Sequence, residues 1–344
     1  MSGKLIVNLK PIRQNILNIK KQIKGSLFCA VVKASCYGMG IGLCKHIDEL
    51  VDYWAVACIT EAKQVAEISN KPILVLSPPD KDEYCQLKSL PTNIECAIDN
   101  IEVLRHIIKQ KLECKIHIVI NTGMNRYGTD YITFIKMLEL LKNQHKVKLV
   151  GVFSHFYKST KRVKQKQYNA FKPFIKIAKQ YNPSVLCHIA NSQGIDYPLD
   201  MVRVGIGLYK VHTSQIIQLQ SYIKSIRDIG KGEAVSYGAH FVAGKPTRVA
   251  VVSLGYADGI MRKQGGGYVL INNAKCKIIG DICMDCFMVD ITKCKNTAVG
   301  DKVIILGKMH KHSINVCQNA KKCDTISYEL LTRLGSRIQR VYKE

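Results

Sequence analysis

Short apolar runs alternate with longer amphipathic stretches through the first two-thirds of the chain. The runs that read as strands are 27–32, 53–57, 73–76, 94–98, 116–120, 149–153, 185–189 and 202–204. They are short, rich in β-branched residues and closed by polar or glycine-bearing segments. Amphipathic stretches lie near 41–50, 60–69, 80–89, 100–110, 131–143 and 164–181, each long enough to cross back over a sheet. Eight such repeats predict a (β/α)8 barrel over residues 1–212.

Beyond residue 212 the pattern changes. Alternating strands are punctuated by Gly230, Gly232, the run Gly265 to Gly267, Asn272 with Asn273, and Gly300 followed by Asp301. This predicts a mainly β domain over 213–344, with one helical run at Tyr328 to Leu334 that Ser327 and its polar neighbours cap.

Composition narrows the class. A 344-residue chain with 47% hydrophobic residues buries a large core and is neither disordered nor fibrous. The first residues lack the apolar stretch of a secretory signal and no run of about 18 apolar residues follows, so a cytoplasmic protein that does not span a membrane is expected. Fourteen cysteines are scattered singly through predicted strands and helices, and read as reduced thiols rather than a disulfide framework. Cys283 and Cys286 have the spacing of a redox or zinc pair, but no second pair completes a four-ligand site, so they are read as two positions within a strand and no metal is expected. The net charge of +25 attracts anions of any kind. Its lysines are spread along the whole chain without an arginine-rich arm, so no nucleic-acid partner is expected.

Barrel chemistry collects at the carboxyl ends of the strands, where the βα loops share one mouth. Strand 27–32 runs directly into Lys33. Burial there disfavours the ammonium form and leaves an amine able to attack an aldehyde. A phosphate dianion suits the loops after the last two strands, where Ser192, Gly205 and Ile206 stand.

The segment Ala-Val-Val-Lys-Ala-Ser-Cys-Tyr-Gly-Met-Gly at 30–40 resembles the cofactor-lysine motif of the alanine racemases. The resemblance runs from about Val7 to Tyr342. It takes in Asn-Thr-Gly-Met-Asn-Arg at 121–126, Phe-Ser-His at 153–155, His-Ile-Ala-Asn-Ser at 188–192 and Met-Val-Arg-Val-Gly-Ile-Gly-Leu-Tyr at 201–209. It continues through Val-Ser-Tyr-Gly-Ala at 235–239, Gly-Tyr-Ala-Asp-Gly at 255–259, Ile-Cys-Met-Asp at 282–285 and Ile-Ser-Tyr-Glu at 326–329.

That resemblance implies a pyridoxal-phosphate-dependent racemase interconverting L- and D-alanine and supplying D-alanine for peptidoglycan. Lys33 carries the cofactor; Tyr37, Tyr328, Ser192, Gly205 and Ile206 serve its phosphate, and Asn191 lies beside them. Arg203 meets the pyridine nitrogen, with His188 as its neighbour, and His155 stacks on the ring or assists the second base. Because an arginine hardly ever gives up its proton, it leaves that nitrogen unprotonated. Racemisation needs a base on each face of Cα. The family pattern assigns Lys33 to one face and Tyr237 of the partner subunit to the other, in a homodimer whose second domain also brings Tyr256, Met284 and Asp285 to the substrate. Arg126 holds the substrate carboxylate or the cofactor's phenolate.

Three positions depart from the pattern. Val119 stands where many members carry a carbamylated lysine, with Asn121 in place of the following aspartate, and Asp281 replaces an arginine. These bear on the substrate, so serine or another small amino acid is the alternative. Further alternatives are a cofactor-binding barrel without turnover and a zinc-assisted D-amino-acid dehydratase, whose only crowded ligands are His310, His312, Cys317 and Cys323.

Overall fold

The computed structural model describes residues 3–23, 25–209 and 216–344. Two compact units share them, and the chain visits each more than once: Ile16–Cys36 with Ile41–Leu208 forms one, and the N-terminal residues to Asn15, Tyr37–Gly40 and Tyr209–Glu344 form the other. The expected division at 212 and 213 lies outside the described residues.

The first unit contains an eight-stranded parallel sheet. Its strands are β2 (Leu27–Val31), β3 (Tyr53–Val56), β4 (Ile73–Val75), β5 (Ile94–Ile98), β6 (Cys114–Val119), β7 (Val147–Phe153), β8 (Leu186–His188) and β9 (Met201–Val204). Neighbours follow in chain order from β2 to β8, and β9 pairs with β2. The Asp200 amide reaches Cys187 O at 3.1 Å and the Arg203 amide reaches Ala190 O at 3.2 Å, so β9 also meets the β8 segment and the sheet curls into a nearly closed barrel. All eight strands predicted from hydrophobic runs are present. The helices between them include Ile59–Ala66, Ile101–Lys109, Tyr131–Leu141 and Lys161–Tyr181. Asn100 caps the second through a 3.0 Å bond from the Val103 amide, and Asp130 caps the third through a 2.8 Å bond from the Thr133 amide.

Alternation along the strands sends every second side chain inward. Cys29, Val31, Ala55, Leu74, Ala97, Val119 and Phe153 fill the barrel core. Strand register aligns His117 with Ala97 on one side and Gly151 on the other, Phe153 with His188, and Cys29 with Arg203. His117, His188 and Arg203 therefore occupy inward positions, and with Glu95 and Tyr53 they make a polar line within a largely apolar core.

The second unit is built on antiparallel strands. β1 (Gly3–Asn8) precedes the barrel in the chain, and after it come β10 (Ile217–Ile229), the two-residue pair β11 (Ala234–Val235) and β12 (Phe241–Val242), β13 (Thr247–Val252), β14 (Tyr268–Ile271), β15 (Ala274–Ile279), β16 (Phe287–Asp290), β17 (Lys302–Met309), β18 (His312–Ile314) and β19 (Ile338–Lys343). Because β10 pairs with β17 at its start and with β13 further on, β10, β13, β16, β15, β14 and β17 form a closed ring. β1 lies between β10, with which it pairs antiparallel, and β19, with which it forms a parallel pair. The predicted helix at 328–334 is seen as Ser327–Thr332, and a second, Val316–Lys322, lies before it. Among the described residues no helix is long and apolar enough to cross a membrane.

Candidate active site

The carboxyl ends of β2, β6, β7, β8 and β9 carry most of the barrel residues singled out by sequence. Lys33 follows β2 and is partly buried. Desolvation lowers its ammonium pKa, Arg126 lowers it further and Glu61 opposes both. The next three residues, Ala34, Ser35 and Cys36, lie in left-handed backbone at φ 51°, 52° and 57°, and Tyr37 continues the run at 56°. Each such non-glycine residue costs about 1–2 kcal/mol. Two bonds hold the turn: the Ala34 amide donates to Glu61 Oε1 at 2.7 Å and the Cys36 amide to Val32 O at 2.8 Å. Sequence reasoning missed Glu61, which also accepts from the Ala57 amide at 2.8 Å and so ties the turn after Lys33 to the end of β3.

Arg203 is 2% exposed on β9. Its Nη2 donates to Ser154 O at 2.6 Å and lies 3.3 Å from His155 Nδ1, its Nη1 meets His188 Nδ1, and its guanidinium stands 5.0 Å from the Phe153 ring centre. Burial brings its pKa down to about 10, still far above neutrality, so it remains a donor. His155 is pushed down to about 3 by desolvation first and then by Arg203, Arg126 and Lys33. Its other nitrogen, Nε2, lies 3.3 Å from the Asn191 amide nitrogen, a second donor. Neither neighbour can accept a ring proton, so the ring is held neutral, and it accepts from only one of the two donors. His188, fully buried, is likewise held well below its ordinary value by desolvation, Arg203 and His117.

Ser192 Oγ accepts from the Gly205 amide at 3.0 Å and the Gly207 amide at 3.2 Å, gathering a hydroxyl and the start of the turn Ile206–Tyr209 at one place. With both amides bonded to its oxygen, the Ser192 hydroxyl is oriented to donate its own hydrogen to an anion. A β-carbon on Gly207 would come within 2.9 Å of the Ser192 β-carbon.

Arg126 is exposed in the loop after β6, its guanidinium 5.5 Å from the Tyr127 ring centre. Asn121 organises this loop: its Oδ1 accepts from the amides of Gly123 at 2.9 Å and Asn125 at 3.2 Å, and its Nδ2 donates to Asn125 Oδ1 at 3.0 Å. Val119, in place of a charged side chain, is buried in the barrel core. The structure thus brings Lys33, Arg126, His155, Asn191, Ser192, Arg203, Gly205 and Ile206 to one end of the barrel.

The remaining residues belong to the second unit. Tyr37 is buried edge to face against Tyr209 and Tyr328, with ring centres 5.9 and 6.1 Å away. Burial, then Tyr328, raises the Tyr37 phenol pKa, and burial raises that of Tyr328. Tyr237, Tyr256 and Met284 are exposed by 74%, 44% and 51%, unusual for large side chains on three neighbouring turns. Ser236, just before Tyr237, adopts φ 71° and ψ −178°, a region otherwise used by glycine. Its Oγ donates to Asp281 O at 2.7 Å and lies 3.4 Å from Cys283 Sγ. Asp281 is balanced by Arg262 at 2.6 Å and His240 at 3.1 Å, and Asp285 by Arg337 at 2.5 Å. Cys283 and Cys286 do not lie within a strand as expected. They flank a bend closed by the Cys283 amide on Cys286 O at 2.9 Å, because Met284 and Asp285 turn the chain ahead of β16.

Sequence reasoning also missed Tyr53, Glu95 and His117. Their signal is a polar residue on an inward position of an apolar strand, as in Ile-Glu-Cys-Ala-Ile and Ile-His-Ile-Val.

Residues 7–213 match the family model described as alanine racemase, N-terminal domain, and residues 216–342 the one described as alanine racemase, C-terminal domain. The alanine racemase of Vesicomyosocius okutanii is 34% identical, over 96% of each chain. The solved alanine racemase of Clostridium difficile 630 superposes with a TM-score of 0.91 at 30% identity, covering 100% of this chain and 96% of its own. The alanine racemase of Bartonella henselae, solved with covalently bound pyridoxal phosphate, gives a TM-score of 0.86 at 26% identity, with 100% of both chains covered. Fold and relatives together define an isomerase of the amino-acid racemase class. The chain belongs to the alanine racemase family.

Proposed function

We propose that the protein interconverts L- and D-alanine with pyridoxal phosphate held on Lys33, acting as a cytoplasmic homodimer that supplies D-alanine for peptidoglycan. The observation that carries this reading is the amine of Lys33, partly buried and with its pKa lowered, at the same barrel end as Arg203 and the neutral His155. The donor set fits the cofactor: a reactive amine for an aldehyde, a fixed guanidinium for a ring nitrogen, and Ser192 with the Gly205 and Ile206 amides for a phosphate, beside Asn191. Tyr37 and Tyr328, assigned to the same dianion, have raised pKa values and stay able to donate.

When bound, pyridoxal phosphate draws electron density from the substrate's Cα and acidifies its hydrogen. Lys33, with its lowered pKa, takes or returns the proton on one face. Tyr237 of the partner subunit serves the other face, with Tyr256, Met284 and Asp285 of the partner subunit around a small side chain. The exposure of Tyr237, Tyr256 and Met284 supports their meeting a second copy. Arg203 donates without surrendering its proton, which limits how much charge the ring accepts. Arg126 orients the substrate carboxylate or the cofactor's phenolate oxygen. The barrel residues hold the cofactor and the second domain completes the partner's site.

Serine or another small amino acid is a second substrate reading, left open by Asp281, which departs from the arginine of the family pattern. The test is Cα hydrogen exchange in heavy water. Lys33→Ala abolishes exchange of both alanine enantiomers, whereas Tyr237→Phe loses exchange of L-alanine and retains that of D-alanine. Equal exchange of both by the tyrosine variant removes Tyr237 from the mechanism.

A further inference from the structure

A continuous line of polar side chains runs through the barrel interior, away from the strand ends that carry Lys33. Arg203 Nη1 meets His188 Nδ1, His188 Nε2 lies 3.1 Å from His117 Nδ1, and His117 Nε2 lies 2.8 Å from Glu95 Oε2. Tyr53 Oη donates to the same Glu95 oxygen and lies 3.5 Å from His117 Nε2. His117 and His188 are fully buried, and Glu95 is 3% exposed.

The direction of every bond in this line is fixed from its arginine end. A guanidinium has donors only, so His188 Nδ1 must accept. His188 is neutral, held so by burial and by Arg203, and its single proton therefore sits on Nε2. That proton points at His117 Nδ1, which must accept in turn, leaving the His117 proton on Nε2. The line closes only if the group facing His117 Nε2 accepts, and Glu95 does. It lies near the amino end of β5, beside a cavity of about 520 Å³ also lined by Tyr53, Leu149 and Leu186.

We infer that Glu95, through His117, sets the ring tautomer of His188 and thereby holds Arg203 as an oriented donor. Glu95 and His117 are positioning residues remote from the reacting atoms. Their importance for the reaction rests on the reading of Arg203 as the cofactor-facing group. The acceptor at the end of the line decides its polarity because a competing donor is already in place. Without the carboxylate, Tyr53 Oη turns to His117 Nε2, the His117 proton moves to Nδ1, and His188 receives a bond at Nε2. Its own proton then stands on Nδ1, facing the Arg203 N–H. Two donors meet in a buried site, which costs the guanidinium its anchor.

The experiment is nitrogen-15 NMR of the full chain labelled at histidine, with and without pyridoxal phosphate. His117 and His188 are assigned by substituting each in turn. In the wild type both rings carry the proton on Nε2. Glu95→Gln, which keeps an acceptor oxygen, preserves both tautomers. Glu95→Leu moves both protons to Nδ1, and adding Tyr53→Phe to it removes the competing donor and reverses the shift. With the cofactor, Glu95→Leu retains pyridoxal phosphate about tenfold more weakly, the scale of one lost hydrogen bond to a charged group, while Glu95→Gln retains it within about twofold. A wild-type His188 protonated on Nδ1 overturns the proposal even if neither Glu95 variant folds, and so does a folded Glu95→Leu protein with both tautomers unchanged. Tautomers read on cofactor-free protein judge the relay by itself, whereas failure of the wild type to retain pyridoxal phosphate overturns the cofactor reading instead.

Discussion

The imidazole of His117 lies over the α-carbon of Gly151, where a β-carbon would come within 1.9 Å of Nδ1. Residue 151 is glycine because the neighbouring strand's ring occupies its side-chain space. The ring has no room to yield, being fully buried and bonded at both nitrogens. Gly151→Ala therefore destabilises the protein by about 1–3 kcal/mol through overpacking. It also displaces His117 from His188. Denaturant unfolding checks the first effect, and an unchanged midpoint contradicts the packing argument.

The lowered pKa of Lys33 has two causes, desolvation and then Arg126. Removing the guanidinium takes away one of them. In Arg126→Gln the pH at which Lys33 reacts with an aldehyde moves upward, towards that of an ordinary lysine. The rate of pyridoxal phosphate uptake against pH reads this directly, and a midpoint that stays in place or moves down speaks against the electrostatic role of Arg126.

Histidines held neutral, His155 partly and His188 fully buried, make the fold sensitive to acid. His155 is held down to about 3 and His188 well below its ordinary value, whereas in the unfolded chain each titrates near 6.5. As pH falls below about 6.5 the unfolded state binds protons that the folded state refuses, so their contribution to stability is present above that pH and is lost below it. Each fully buried neutral histidine contributes a slope of up to about 1.4 kcal/mol per pH unit. Unfolding free energy measured between about pH 6.5 and 5 declines for the wild type, and more gradually for His188→Gln. Parallel slopes count against a neutral His188.

Ser236 holds strained backbone immediately before Tyr237, and its hydroxyl is tied to Asp281 O. Strain of this kind costs about 1–3 kcal/mol and persists only where the surroundings impose it. Ser236→Ala keeps the strain and loses the bond, so it lowers stability. Ser236→Gly loses the bond and relieves the strain, leaving stability nearer the wild type. If Tyr237 is a base, both variants lower kcat severalfold without releasing the cofactor. Thermal unfolding and single-turnover assays separate the two effects, and a glycine variant less stable than the alanine variant refutes the strain.

The barrel was legible because parallel strands covered on both faces are short continuous apolar runs, and 94–98 matches its strand residue for residue. β1 was missed because its apolar run is only Leu5, Ile6 and Val7, and what makes it a strand is pairing with Gln218, Leu219 and Gln220, more than two hundred residues away. Val316–Lys322 escaped for a related reason: it buries only Val316 and Ala320 on its apolar side, too faint a stripe to read. At the site, Lys33, Arg203 and Ser192 stand at strand ends, where position alone marks them. Glu95, His117 and Glu61 were invisible as a group, because each acquires its meaning from a partner on another strand or loop. The counter-charge of Asp281 was hidden likewise, since Arg262 and His240 are near it only in the folded chain.

Family membership and the residues at the barrel end converge on inversion of a small amino acid at Cα. Circular dichroism of pure L-alanine incubated with the full-length protein and pyridoxal phosphate, run beside L-serine, tests this most directly. The alanine signal decays to zero as the racemate forms, starting from either enantiomer, while serine turns over more slowly and the Lys33→Ala protein leaves both signals unchanged. A steady alanine signal with cofactor bound, or equal decay with the lysine replaced, contradicts the account.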